Sequence, residues 1–172
     1  MPHYRRNYLP GGTYFFTVTL SDRQSDWLVQ YISTLRDAVR RVQQTRPFTI
    51  DAWCVLPEHL HAIWTLPAHD ADYSNRWREI KKIFSKTVVA SERLPRQIDI
   101  WQQRFWEHTI VDERDYRQHL DYVHFNPVKH GWVNRVQDWP YSTFHRAVRE
   151  GLYPLDWGGG ESVDMRCGER GE

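Results

Sequence analysis

Phe48-Thr49-Ile50-Asp51-Ala52-Trp53-Cys54-Val55-Leu56-Pro57-Glu58-His59-Leu60-His61-Ala62-Ile63-Trp64-Thr65-Leu66 holds two runs of β-branched, aromatic and apolar residues separated only by Pro57-Glu58. Runs of this composition read as strands, and so short a connection makes them an antiparallel hairpin. The first strand is expected over Phe48–Leu56 and the second over His59–Leu66. Upstream, Gly11-Gly12 makes a turn, and Thr13 to Leu20 is a further strand by the same criteria.

Helices fill the gaps between these strands. Leu28, Ile32, Leu35, Val39 and Val42 recur every three or four residues, so a helix capped by Ser25 or Asp26 runs to about Thr45, before Pro47. Trp77, Ile80, Ile83, Phe84 and Val88 mark a second helix, capped by Ser74 and ending near Ser91. Residues 92–103 read as a loop and Glu107–Val111 as a short strand. Asp112 starts a third helix that should stop near Asn126, because Pro127 has no amide hydrogen and disfavours helix at the residue before it. Residues 127–157 read as irregular, with Trp132, Trp139, Tyr141, Phe144 and Trp157 packing back on the body. The order strand, helix, strand, strand, helix, strand, helix predicts an α+β protein: a ferredoxin-like antiparallel sheet with helices on one face. One domain over 1–157 is expected, with a Gly-rich, acidic tail over 158–172 that reads as disordered.

Composition narrows the class without naming a function. The 172 residues are 40% hydrophobic, enough for one core. No apolar run approaches the roughly 18 residues of a membrane span, and no secretory leader is evident, so a soluble, cytoplasmic protein is expected. Cys54 and Cys167 lie far apart in unlike surroundings, which argues against a disulfide or a thiolate metal site. Net charge is +1, from 23 basic and 22 acidic residues, so any nucleic-acid surface must come from the distribution of charge. Of the aromatic residues, 15% of the chain, most are expected in the core, and the remainder can serve as stacking platforms for unpaired bases.

Two short stretches carry chemistry. His59 and His61 alternate with Leu60 along a strand, so both imidazoles share one face and can converge on a metal ion. Two packed or surface histidines satisfy the same pattern. Tyr122 and Asn126 are four residues apart and share a helix face. A tyrosine can be a nucleophile and an asparagine oxygen a ligand; equally, Tyr122 can be a core ring and Asn126 a helix C-cap. If the helix face meets the strand face, nitrogen and oxygen donors surround one site that suits Mg²⁺ or Mn²⁺. Tyr116 is the competing nucleophile, on another helix face, and His124 and His130 are DNA contacts or packing residues. Glu58, the carboxylate beside the pair, is expected on the opposite strand face. No phosphate-binding GxxxxGK[ST] loop is present, so no nucleotide cofactor is expected.

His59-Leu60-His61, followed downstream by Tyr122-Val123-His124-Phe125-Asn126-Pro127-Val128-Lys129-His130-Gly131, resembles the REP-associated tyrosine transposases, relatives of the single-tyrosine HUH transposases of insertion sequences. Tyr4-Arg5-Arg6, Gly11 to Val18, Val55 to Trp64, Arg76 to Lys82 and Trp101 to His108 support the likeness, which covers roughly residues 3–157. The transposing relatives usually carry Gln four residues after the tyrosine; this chain has Asn126. The resemblance implies an HUH endonuclease fold and a metal held by His59, His61 and Asn126. It implies that Tyr122 attacks a DNA phosphorus, becomes linked to the 5′ phosphate and releases a 3′ hydroxyl. It implies a partner that is single-stranded DNA beside a hairpin-forming repeat. Arg5, Arg6, Arg76, Arg78, Lys81, Lys82, Arg104, Trp106, Lys129 and His130 are the expected DNA contacts. Insertion-sequence relatives exchange the tyrosine helix between two subunits. The long extension after Pro127 can instead hold it on its own chain, so a monomer is expected. A hairpin-binding module that no longer cuts, and a metal-dependent hydrolase without a covalent step, are the competing functions.

Overall fold

The hairpin forms as the alternation requires. In the computed structural model, which describes residues 5–159, 163 and 166, β2 (Thr49–Val55) and β3 (His59–Thr65) pair antiparallel, with Val55 opposite Leu60. The Leu56 N–H donates to the His59 carbonyl at 2.9 Å, which closes the turn around Pro57-Glu58. That turn is pinned from outside: the Leu28 N–H donates to the Pro57 carbonyl and the Leu20 N–H to the Glu58 carbonyl. β1 (Thr13–Thr19) and β4 (Trp106–Thr109) complete a four-stranded antiparallel sheet of order β2-β3-β1-β4. This is the ferredoxin-like order, with β1 and β3 in the centre.

The sheet is covered on both faces, not one. Tyr14, Phe16, Val18, Leu60, Ala62 and Trp64 point to one side and pack on α2 (Ile32–Thr45) and α3 (Tyr73–Ser91). Phe15, Ala52, Cys54 and Ile63 point to the other, where α4 (Glu113–Lys129) and α5 (Phe144–Arg149) cover them. A central strand buried on both faces has no polar side, and β3 reads that way: all but Thr65 of its residues are buried.

Several boundaries differ from expectation. The first helical stretch divides at Tyr31 into α1 (Trp27–Gln30) and α2. α3 is capped by Asp72, whose side chain accepts from the Asn75 N–H, rather than by Ser74. α4 starts at the expected cap, Asp112, but runs through Pro127 to Lys129. It stops in a Schellman arrangement: the Trp132 N–H donates to the Pro127 carbonyl and the Gly131 N–H to the Val128 carbonyl, with Gly131 at φ +74°. The missing proline amide removes one helix bond, and the capped end and buried surroundings offset that loss. The extension is less irregular than its composition suggests. It contains a 3₁₀ turn (Val136–Asp138), α5 and a bridge from Ser142 to Cys54. Trp139 and Phe144 are buried, whereas Trp132 stands half-exposed. Most of the tail over 158–172 lies outside the described residues; Gly159 packs against the Phe125 ring. Among the described residues, no helix is long and apolar enough to cross a membrane.

Candidate functional site

His59 and His61 leave β3 on the α4 side and are almost wholly buried. Their rings lie 5.0 Å apart and nearly perpendicular. Polar partners orient both imidazoles. His59 Nδ1 lies 2.7 Å from Glu58 Oε1, and His61 Nδ1 lies 2.9 Å from Thr17 Oγ1. Glu58 therefore does not point away from the pair. It belongs to the turn, where strand alternation does not apply. His59 Nε2 is buried and has no hydrogen-bond partner among the described residues. A buried polar atom left this way costs stability, and metal ligation is one way to satisfy it. Burial, then the charges of His59, His130 and Lys129, push His61 well below the usual imidazole range; a hydrogen bond with Asn126 acts the other way. His61 is thus neutral, the form that ligates.

α4 supplies the rest. Tyr122 and Asn126 are fully buried on the face toward the sheet. The Tyr122 ring lies 5.2 Å from the His61 ring and 5.9 Å from Phe15. Asn126 is not the helix C-cap; that position is His130. The turn beyond Pro127 brings in two more groups. Lys129 Nζ donates to Tyr122 Oη at 3.0 Å, and the His130 ring lies 5.0 Å from that of His59. Burial, then His59 and Lys129, push His130 down to about 4. The sequence-predicted set His59, His61, Tyr122 and Asn126 thus meets in one place, within one chain. The donors fit a divalent cation: two imidazoles and an amide, with the His59 carboxylate partner behind them.

Tyr116 stands apart from this cluster. It lies off the sheet-facing stripe and donates to Asp51 Oδ1 at 3.2 Å. Burial, then the Asp51 charge, push its hydroxyl up to about 12. His124 is a packing residue, bonded through Nε2 to Thr143 Oγ1 at 2.8 Å and pushed down to about 3 by burial and then Arg146.

The expected DNA contacts divide. Arg76 is 1% exposed and committed to the interior: its guanidinium donates to both Asp70 oxygens and to the carbonyls of Arg46, Pro47 and Asp72. It is a structural strut, and its place among DNA contacts is corrected. It lies on the core-facing stripe of α3 with Ile80, and its partners come from the end of α2 and the loop before α3. Arg5, Arg78, Lys82 and Arg104 are exposed, and His130 keeps one edge in solvent while its ring packs toward His59. Arg6 lies 3.9 Å over the Phe105 ring, and Lys81 is 5.4 Å from the same ring. Burial, then Arg6, push Lys81 down to about 8. Trp106 lies opposite Thr17, as His61 does on the other side, so it borders the histidine face.

Sequence reasoning missed three participants. Thr17 and Glu58 orient the histidines, and neither type announces such a role. A separate group, His108, Asp115 and His119, brings its ligand atoms within 4.8 Å of one another. Its legible signal was Asp115 and His119 four apart on a helix.

The chain is 54% identical over 170 residues to the REP-associated tyrosine transposase of Escherichia coli, covering 99% of this chain and 98% of the relative. It is 42% identical to a Haemophilus influenzae protein assigned by name to the same family, over 96% and 98% of the two chains. A solved structure of a REP-associated tyrosine transposase bound to a REP hairpin superposes with a TM-score of 0.87 at 53% identity, over 100% of this chain and 98% of that one. No family model matches the chain. Sharing more than half its residues with a named member across nearly its whole length, and that member's architecture as well, the chain belongs to the REP-associated tyrosine transposases.

Proposed function

We propose that this protein cuts and rejoins single-stranded DNA beside a hairpin-forming repeat, through a covalent link to Tyr122. The observation that carries the reading is the convergence of the Tyr122 phenol, the Lys129 ammonium and the His59/His61 pair at one point of the sheet. The relative seen with a REP hairpin supports that class of DNA as the partner.

In the proposed reaction Tyr122 Oη forms a bond to phosphorus, the bond to the 3′ oxygen breaks, and that oxygen leaves as a hydroxyl after taking a proton. One phosphate ester replaces another, so no nucleotide cofactor is needed. An ordinary phenol ionises near pH 10, so the oxyanion needs a nearby positive charge. Lys129 supplies it at hydrogen-bond distance. Glu58 and Thr17 hold the imidazoles in the tautomers that turn their Nε2 atoms inward. His59, His61 and Asn126 would hold Mg²⁺ or Mn²⁺, which supplies Lewis-acid polarisation of the scissile phosphate. Arg5, Arg6, Arg78, Lys81, Lys82, Arg104, Trp106, Lys129 and His130 are the proposed DNA contacts. A monomer is the proposed working unit, with Tyr122 seated against the histidines of its own chain.

The test is a gel with labelled hairpin DNA carrying a single-stranded flank and Mg²⁺ or Mn²⁺. A protease-sensitive DNA–protein adduct is expected from the native chain, and none from Tyr122→Phe, which still shifts the hairpin. An adduct from Tyr122→Phe refutes the assignment. A shift without adduct from the native chain favours a binding module, and nicking without adduct favours a hydrolase.

A further inference from the structure

We propose that His108, Asp115 and His119 bind a divalent transition metal of the zinc class, at a site separate from the His59/His61 pair. The three residues come from rigid elements: His108 from β4, and Asp115 and His119 from the first half of α4. Asp115 spreads its carboxylate between the two imidazoles. Oδ2 lies 2.8 Å from His108 Nε2, and Oδ1 lies 3.0 Å from His119 Nδ1. The rings stack at 4.5 Å with 14° between their planes, and a turn of the partly exposed His108 ring brings both in-plane lone pairs onto one ion. Zinc ligated at about 2.0–2.2 Å in a tetrahedron separates its donor atoms by a little over 3 Å. The two nitrogens sit 2.8 and 3.0 Å from the two oxygens of one carboxylate, so an opening of about half an ångström admits the ion.

Hydrogen bonds now fill this group. Asp115 Oδ2 also accepts from the Val111 N–H at 2.9 Å, and His119 Nδ1 lies 2.9 Å from the Asp115 carbonyl. An ion replaces the imidazole protons shared with the carboxylate and leaves the Val111 bond in place. Two imidazoles with one carboxylate are a donor set that zinc takes, the fourth position being left to water. His119 is buried, while the His108 side chain is 35% exposed, so one side stays open for entry and for a water as fourth ligand. Phe15 separates the two centres: its ring lies 4.8 Å from that of His119 and 5.5 Å from that of His61. They share no ligand. This inference does not depend on DNA cleavage, because ion binding is read directly.

The test is Zn²⁺ binding by equilibrium dialysis on the full-length chain, with folding checked by circular dichroism. The His59→Ala/His61→Ala variant is expected to retain one tightly bound equivalent and to melt at higher temperature with Zn²⁺ than with chelator. Adding Asp115→Asn is expected to weaken that binding at least tenfold. A folded double variant that binds no Zn²⁺ overturns the proposal, as does binding that survives Asp115→Asn, since an exposed histidine such as His69 then holds the ion. Should the double variant fail to fold, Asp115→Asn alone decides: native stoichiometry must fall by one equivalent, and an unchanged stoichiometry overturns the proposal.

Discussion

Lys129 Nζ lies 3.0 Å from Tyr122 Oη and 4.9 Å from the centroid of the same ring, so one cation serves both the oxygen and the π face. An ammonium that donates to a phenol oxygen favours the ionised form, which is the nucleophile. Removing a single donor aimed at developing charge typically costs about 10²–10³ in rate. Lys129→Met is therefore expected to slow adduct formation about 100-fold at saturating hairpin DNA, measured in a single-turnover time course. An unchanged rate would reduce Lys129 to a packing and binding role. Glu58 works at the same scale. Burial pushes its carboxyl up, but the hydrogen bond and charge of His59 outweigh that and hold it below the usual carboxylate range. It therefore stays ionised beside His59 Nδ1 and directs the other nitrogen inward.

At the scale of elements, the site depends on where α4 ends. Tyr122, Asn126 and Lys129 lie on one helical stripe only because the helix continues past Pro127. Gly131 closes it with a positive φ, and a Cβ added there meets nothing within 4 Å. Gly131→Ala is thus a conformational test without a clash. It is expected to cost about 1 kcal/mol in denaturant unfolding and to slow cleavage by loosening Lys129 and His130. His124 anchors the same helix to Thr143 of the extension. Its pKa is about 3 folded against about 6.5 unfolded, so the unfolded chain takes up a proton that the folded chain refuses. Stability is then full above pH 6.5 and falls as the pH drops toward 3. Lowering the pH from 6.5 to 5 is expected to cost about 2 kcal/mol at 1.36 kcal/mol per pH unit. Urea midpoints check this, and His124→Gln should remove its share, leaving the dependence of the same sign from His61 and His130.

For the whole molecule, two arginines of α3 that look alike in the chain do different work. Arg76 ties the loop around Asp70 and the end of α2 to α3 from inside. Arg76→Ala is expected to lower stability by about 2–3 kcal/mol, because the carbonyls of Arg46, Pro47 and Asp72 lose their donor, with a smaller share from the partly exposed Asp70. Arg78 is exposed, so Arg78→Ala should leave the unfolding midpoint unchanged. If it meets a phosphate, hairpin binding weakens and the salt slope of the affinity falls by about 1. The two-faced sheet explains the division: α3 turns one stripe to the core and the opposite stripe to solvent, and Arg76 falls on the former beside Trp77 and Ile80.

The sequence alone was enough for the strand and helix order, the ferredoxin-like class, and the pairing of His59 with His61 and of Tyr122 with Asn126. Those are local properties: periods of two and near four, a two-residue turn, an N-cap at Asp112. Tertiary structure decided what depends on partners distant in the chain. It set α4 on the second face of the sheet, carried that helix through a proline, buried Arg76 against a loop, and aimed Glu58 and Thr17 at the imidazoles. It also drew His108 to Asp115 and His119 across a strand-to-helix contact. No periodicity encodes such meetings, because each is settled by which surfaces can be buried together with their polar atoms satisfied.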